Sequence, residues 1–243
     1  MAGATLRGLD LAQTGPLPER EDSPMSIVFA SRTDAARQLA KALAKFHGRN
    51  PLVLAIPRGA VEMGRVLADE LEGEIDVVLV RKLRSPQSAE FAVGAIDETG
   101  WAYVADYAAS AGADDAYLAR EKRDQLELLR KRRALYTPAR PPIDPKGRVV
   151  IVVDDGLATG ATMIAALHAA RSKQPERLVC AVPVAAPDSL ERVRPYADEV
   201  VCLEAPEEFF AVGQFYRQFG QVEDDEVVDL LARPPKARAG GGP

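Results

Sequence analysis

The stretch VVIVVDDGLATGATM, residues 149–163, decides how the chain folds. Its first five residues are β-branched and apolar, which is typical of a strand buried on both faces of a parallel sheet. Two adjacent carboxylates, Asp154 and Asp155, follow this strand, and a loop with glycines and threonines leads into a predicted helix over 161–171. Two ionised neighbours at a buried strand end are costly without a ligand, so this turn is the first candidate for a functional site.

The loop after the carboxylates has the composition of an anion-binding site. Glycine lets backbone N–H groups close around an anion, and the N-terminus of the following helix adds free donors and partial positive charge. Thr159 and Thr162 add hydroxyl groups. The loop holds no lysine or arginine, so the backbone must supply most of the attraction, which suits one phosphate monoester. The carboxylates would repel that phosphate and are better suited to a sugar diol, or to Mg²⁺ through water.

A ribose 5′-phosphate with free 2′- and 3′-hydroxyls offers both features, and here the segment resembles a known family. Residues 149–162 are similar to the phosphoribosyl diphosphate (PRPP) motif of type I phosphoribosyltransferases. In that motif an apolar run and two acidic residues precede a Thr/Gly loop ending TG-x-T. Gly156 and Ala158 depart from the family pattern, which commonly has a branched apolar residue and a threonine there. The missing hydroxyl at Ala158 would weaken phosphate binding modestly.

The resemblance implies a role for each residue of the motif. Asp154 and Asp155 would hold the ribose hydroxyls and act as ligands of the cofactor Mg²⁺, directly or through water. With Lys82 they form the set of catalytic candidates. The general base is not assigned, and Asp155 and Glu90 are the candidates for it. The 5′-phosphate would be bound by Ala158, Thr159, Gly160, Ala161 and Thr162.

A second segment, IPRGAVEMG at residues 56–64, follows a predicted strand over 51–56 and reaches the same edge of the sheet. In the resembled family a short loop at this point holds the diphosphate through backbone amides and a basic side chain. Arg58 and Gly59 fit that loop, because glycine permits close approach and arginine offers a bidentate contact. Taken alone the motif is weak, and a plain strand-to-helix turn with a surface arginine explains it equally well.

A third segment follows the next predicted strand, over 75–80. Several phosphoribosyltransferases have an Arg–Lys pair at this point, which opens a mobile loop that closes over the reacting centre. Arg81 and Lys82 occupy the position here, and the mobile loop would span residues 82–92. Arg81, Lys82 and Arg84 are therefore assigned to the diphosphate leaving group. The alternative is a solvated basic loop without a ligand.

Strand-like apolar runs alternate with helical segments, which predicts a parallel α/β sheet. The resemblance implies a Rossmann-like phosphoribosyltransferase core, with five parallel strands flanked by helices, plus a small hood. We expect a flexible tail at 1–25, where Met25 could be the true start, a phosphoribosyltransferase domain at 26–232, and a disordered tail at 233–243. The hood is assigned to residues 204–220, which hold four of the seven Phe and one of the six Tyr.

Two further elements are predicted in the middle of the chain. Short strands over 91–96 and 101–104 would form a hairpin across residues 97–100. A long charged helix is expected over 114–135, with Asp114 as its N-terminal cap.

Composition narrows the classes of function. The 243 residues carry a net charge of −5, whereas a protein that coats nucleic acid is usually basic. No apolar run approaches the roughly 18 residues of a membrane helix. The two cysteines form neither a disulfide framework nor a zinc signature. We therefore expect a cytoplasmic protein without a nucleic-acid or membrane partner, and a homodimer only as a property of the family.

The expected reaction is Mg²⁺-dependent displacement of diphosphate from C1 of PRPP by the nitrogen of an unidentified acceptor. One rival is a non-catalytic PRPP or nucleotide sensor, for which the basic run 120–133 could contact a partner. The other is a ribose-phosphate hydrolase or phosphorylase with water or phosphate as the acceptor. A Walker loop is excluded, because Ala161 stands where that motif needs lysine.

Overall fold

The structure, a computed structural model, describes residues 28–234, without the side chains of residues 89 and 90. The predicted tail at 1–25, with Met25, lies outside the described residues, as does all but the start of the tail at 233–243. The side chain of Glu90, a candidate general base, also lies outside them. Within this range no helix is both long and apolar enough to cross a membrane.

A five-stranded parallel sheet forms the centre of the molecule, as the sequence predicts. In chain order, the strands of the described residues are β1 (Leu52–Ala55), β2 (Glu74–Val77), β3 (Val80–Ser85), β4 (Ser88–Asp97), β5 (Ala102–Val104), β6 (Val149–Val153), β7 (Arg177–Val184) and β8 (Glu199–Glu204). The central sheet has the order β2-β1-β6-β7-β8, and each neighbouring pair is parallel. β6 lies in the middle with all five residues buried, which its unbroken β-branched run predicts.

Helices cover both faces of this sheet. In chain order they are α1 (Arg32–Ala42), α2 (Ala60–Glu70), α3 (Asp115–Tyr136), α4 (Ala161–Arg171), α5 (Pro187–Val193) and α6 (Asp224–Ala232). Alternate residues of β6 belong to different apolar clusters, because successive strand side chains point to opposite faces. Ile151 and Val153 share a cluster with α1, α2 and α6, whereas Val150 and Val152 pack with α4. The two clusters hold β6 between them.

The segment after β2 differs from the prediction. The expected single strand over 75–80 is divided, because β2 ends at Val77 and β3 begins at Val80. Arg81 and Lys82 therefore lie inside β3, and the predicted mobile loop over 82–92 is an antiparallel hairpin of β3 with β4. The sequence does not show this break, because the connecting residues Val78 and Leu79 are apolar and buried like the strands. The predicted hairpin across 97–100 is confirmed as the pair β4–β5.

The sequence pattern did not predict helix α6. Its apolar contribution consists mainly of Val227 and Leu231, which lie one turn apart and are both buried. Three acidic residues fill its first turn, where the partial positive charge of a helix N-terminus favours them. Because the first turn is acidic, the sequence pattern does not show the short apolar face that packs α6 against α2 and α3.

The predicted cap of α3 is confirmed, and it can be tested. Asp114 accepts a hydrogen bond from the backbone N–H of Tyr117 at 2.7 Å. Asp114→Ala removes that acceptor and should lower the free energy of unfolding by about 1 kcal/mol, measured by urea denaturation. Asp124→Ala, at an exposed position within the same helix, should change it by less than about 0.5 kcal/mol. Equal losses in the two variants would contradict the capping role.

Candidate active site

A pocket of about 290 Å³ lies at the carboxyl edge of the parallel sheet, where open α/β sheets bind their ligands. Three predicted segments meet in it: the turn after β1, one residue of β3, and the turn from β6 into α4. A 3-10 helix, Val212–Phe215, adds one wall. The lining residues are Ile56, Pro57, Arg58, Gly59, Lys82, Asp154, Asp155, Gly156, Leu157, Ala158, Thr159, Gly160, Thr162, Met163 and Val212.

The turn into α4 forms a cradle of backbone donors. None of the N–H groups of residues 158–162 donates to an acceptor within the described chain. Gly160 caps the helix with a φ of +78°, a left-handed conformation that glycine adopts without strain. The Ser189 hydroxyl donates to the Ala158 carbonyl at 2.8 Å and fixes the loop from α5. Free donors at a helix N-terminus form an anion site without needing a basic side chain.

Asp154 is the carboxylate that faces the pocket without an ion pair in the described chain. One of its oxygens accepts the Asp155 N–H at 2.9 Å. Burial raises the pKa of Asp154 well above its usual value, and the neighbouring Asp155 carboxylate raises it further. Lys82 lines the same pocket with an exposed side chain, and its charge opposes part of that rise. The positive charge of Arg32 also opposes the rise, but Lys82 is the one of these two cations that lines the pocket.

Asp155 is partly neutralised by a residue that the sequence did not reveal. Arg32, the first residue of α1, places its Nε and Nη2 atoms each 2.9 Å from Asp155 Oδ2. Burial raises the pKa of the Asp155 carboxyl, and the Arg32 guanidinium opposes that rise. The two acids, which the sequence treats as equivalent, are thus in different states: one is paired with arginine and the other is left to the pocket.

The predicted hood at 204–220 packs beside this acid pair. The Tyr216 hydroxyl donates to the backbone carbonyl of Asp155 at 2.7 Å. Ring contacts place Tyr216 against Phe29 and Phe219, with centroid distances of 5.4 and 5.0 Å. Phe210, by contrast, is 79% exposed. The aromatic segment therefore packs largely on the protein itself, and a role in covering the acceptor stays a prediction.

The diphosphate candidates of the turn after β1 do reach the pocket. Arg58 lines it, and its Nη1 donates to Glu223 Oε2 at 3.0 Å. Gly59 lies directly against the acid pair, because a Cβ built there would be 2.6 Å from Asp155 Oδ2. Only a residue without a side chain permits this approach of the loop to the acids.

Arg81 and Arg84 lie outside the pocket lining, on the side of α3. Arg81 Nε donates to Gln125 at 2.5 Å, and Arg84 Nε donates to the buried Glu121 at 2.9 Å. Irregular pairing on either side of Arg84 turns it to the same side of β3 as Arg81, away from Lys82. Of the three basic residues of β3 assigned to the leaving group, the structure therefore brings only Lys82 into the pocket.

A divalent cation fits this site only together with a ligand. The described residues contain no group of three or more His, Cys, Asp or Glu side chains able to hold a metal. The pocket supplies two carboxylates, and one of them is paired with arginine. Mg²⁺ is usually held by one or two carboxylates plus phosphate oxygens of the substrate. Asp154 and Asp155 therefore suit an ion that arrives with a phosphorylated ligand.

A parallel sheet flanked by helices, with a pocket at its carboxyl edge, defines an α/β protein of the Rossmann-like class. The chain belongs to the phosphoribosyl transferase domain family, which it matches over residues 29–219. Two Mycobacterium tuberculosis proteins, from strains CDC 1551 and H37Rv, are named provisionally as phosphoribosyl transferases. Each is 43% identical to this chain over 216 residues. The match covers 88% of this chain and 49% of each relative, so the chain spans about half their length.

One solved structure confirms the predicted fold class. The protein TT1426 from Thermus thermophilus is 46% identical, has a TM-score of 0.71, and is matched over 84% of this chain and 97% of that one. A hypoxanthine-guanine phosphoribosyltransferase from Bacillus anthracis is matched over 73% of this chain and 81% of that one. Its identity is 16% and its TM-score 0.41, which is too remote to bear on the acceptor.

The raised pKa of Asp154 has a consequence for stability. The folded state binds a proton at this carboxyl more tightly than the unfolded chain, so stability declines as pH rises above about 4 toward the raised pKa. Asp154→Asn removes this decline, so the variant should have a higher free energy of unfolding than the wild type near pH 7. The advantage should shrink toward about pH 4 in urea titrations.

Asp155→Asn provides the contrast for this measurement. It leaves the buried Arg32 guanidinium without its anion, so this variant should be less stable than Asp154→Asn. If Asp154→Asn were less stable than the wild type at every pH, the unfavourable burial of Asp154 would be refuted.

Proposed function

We propose that the protein binds PRPP and transfers its phosphoribosyl group to a nitrogenous acceptor, with release of diphosphate, in a Mg²⁺-dependent reaction. The observation that carries the proposal is that one pocket combines a cradle of unused backbone donors with a carboxylate that has no ion pair among the described residues. A phosphorylated ribose needs an anion site at one end and hydroxyl acceptors at the other. The names of the two M. tuberculosis relatives give phosphoribosyl transfer, which supports the transferase part of the proposal.

The proposed binding mode follows from the charges. The 5′-phosphate binds at residues 158–162, where the N–H groups and the α4 N-terminus attract it. The ribose hydroxyls donate to Asp154 and to the Asp155 oxygen that lies outside the ion pair. Departure of diphosphate develops positive charge on the ribose ring, and a fixed carboxylate nearby stabilises that charge. Catalysis in this scheme consists of positioning and electrostatics.

The leaving group carries most of the negative charge and needs cations. Lys82 reaches the pocket without an ion pair in the described chain, so it is the first candidate to neutralise diphosphate. Arg58 is the second, and it must exchange its contact with Glu223 for the phosphate. When bound with the substrate beside Asp154, Mg²⁺ would supply further positive charge to the diphosphate oxygens.

Calorimetry with PRPP, with and without Mg²⁺, tests the proposal, followed by a panel of nucleobases scored for diphosphate release. We expect Mg²⁺-dependent binding and release of diphosphate with at least one base. The double variant Asp154→Asn, Asp155→Asn should lose most of the affinity or turnover, and the exposed Asp115→Asn should lose neither. Binding without turnover would favour a sensor, and release of ribose phosphate without a base would favour a hydrolase or phosphorylase. Absence of binding would refute the proposal.

Substitutions of two basic residues of β3 compare a residue that lines the pocket with one that lies outside it. Lys82→Ala removes a cation of the pocket that has no ion pair in the described chain, and it should lower kcat/KM for PRPP by about 100-fold. Arg84→Ala, two residues along the same strand, removes a cation held by Glu121 on α3 and should change kcat/KM by less than about threefold. A larger loss for Arg84→Ala than for Lys82→Ala would contradict the assignment. Steady-state kinetics provides the measurement.

A further inference from the structure

The contact between Arg32 and Asp155 is unusual in how it uses the carboxylate. Both nitrogens of the guanidinium edge, Nε and Nη2, lie 2.9 Å from the same oxygen, Oδ2. The other oxygen, Oδ1, accepts no hydrogen bond from Arg32. An arginine that bound both oxygens in the common fork arrangement would occupy the whole carboxylate. This geometry holds the carboxylate in one orientation and leaves an oxygen for the pocket, which Asp155 lines.

Arg32 is itself fixed from a second side by the end of the predicted hood. Its Nη1 donates to the backbone carbonyl of Gly220 at 2.7 Å, and its guanidinium carbon lies 3.9 Å from the centroid of the Phe219 ring. The Tyr216 hydroxyl reaches the same place by donating to the Asp155 carbonyl. Arg32 is only 7% exposed, so the planar guanidinium has little freedom to move. Its contacts join α1, the β6 turn and residues 216–220.

The ion pair also lies against the turn that carries Arg58. A Cβ at position 59 would be 2.6 Å from Asp155 Oδ2 and 2.9 Å from Arg32 Nη2. The guanidinium and the carboxylate therefore occupy the space beside Gly59. Any shift of Arg32 would move the Asp155 carboxylate relative to this turn and to the pocket.

From these contacts we propose that Arg32 is a positioning residue of the pocket. It orients Asp155, ties the 216–220 segment to the acid pair, and gives the two adjacent acids different roles. Arg32 does not line the pocket, so it acts through Asp155 and the hood. The kinetic part of this inference rests on the proposed function, since it assumes that Asp155 meets the ribose of PRPP.

A purely structural role would not explain why a buried ion pair, Arg32 with Asp155, occupies this position. A buried ion pair adds little net stability compared with apolar side chains of the same volume. Arg65 and Asp69 on α2 form another ion pair with an arginine that is 6% exposed, and neither residue lines the pocket. Substituting Arg65 therefore measures the structural cost of losing a buried arginine without disturbing the pocket.

Kinetics of Arg32→Gln, Arg32→Lys and Arg65→Gln make the first test. Arg32→Gln should lower kcat/KM for PRPP by about 10- to 100-fold, the usual effect of removing a residue that orients a site group. Arg32→Lys keeps the charge and should recover part of that loss. Arg65→Gln should lower the melting temperature by a similar amount and change kcat/KM by less than about twofold. Equal kinetic effects at positions 32 and 65 would overturn the proposal.

A double-mutant cycle then tests whether Arg32 acts through Asp155. If it does, Arg32→Gln should have almost no further effect on kcat/KM in an Asp155→Asn background. Losses that multiply in the double variant would show an independent role and overturn the inference. Tyr216→Phe removes only the hydroxyl that donates to the Asp155 carbonyl, so it is a smaller perturbation of the same contacts and replaces Arg32→Gln if that variant fails to fold. It should lower kcat/KM several-fold, and an unchanged value would contradict the proposal.

Amide hydrogen exchange without any ligand separates this inference from the proposed function. Arg32→Gln should reduce the protection of residues 154–157 and 213–220, whereas Arg65→Gln should leave both segments unchanged. If the wild type fails to bind PRPP, the proposed function fails, and the exchange result still decides whether Arg32 fixes these segments. Unchanged protection in Arg32→Gln would overturn the positioning role.

Discussion

The repulsion between two adjacent carboxylates at the end of the most buried strand is the constraint on which this site depends. Burial raises the pKa of both Asp154 and Asp155, and the Asp155 carboxylate raises the pKa of Asp154 further. The guanidinium of Arg32 partly compensates the charge of Asp155. It lies so close to position 59 that only glycine fits there, and it donates a hydrogen bond to the Gly220 carbonyl. Asp154 receives no such partner in the described chain, so its charge is left for a ligand or a cation in the pocket.

The pocket is therefore divided between two kinds of polar group, and this division narrows the class of ligand. One end consists of N–H groups at residues 158–162, which attract an anion. The other end presents Asp154 and part of Asp155, which repel an anion and accept hydrogen bonds. A simple phosphate would satisfy only the first end, and a neutral sugar only the second. A sugar phosphate satisfies both without burying an unpaired charge.

Local sequence patterns predicted the strand-loop-helix unit well. They could not predict contacts between residues that are far apart in the sequence. The run 149–153 could only be a buried strand, and α4 begins and ends where the pattern predicts. Arg32 could not be found this way, because its partner lies 123 residues along the chain and nothing in its neighbourhood marks it. The break between β2 and β3 was missed because the residues that connect them are as apolar as the strands.

The arginines around the site differ in how readily they can exchange a protein carboxylate for a phosphate. Arg84 is held by Glu121, whose side chain is 6% exposed and would be left buried and unpaired. Arg58 is held by Glu223, which is 63% exposed, and such a pair contributes no more than about 1 kcal/mol. Glu223 therefore holds Arg58 only weakly, and the second carboxylate near Arg58 Nη1, Asp224 Oδ2, lies 3.8 Å away. Glu223 precedes α6 and lies beyond the family match at 29–219, so the availability of Arg58 depends on an element outside the shared domain.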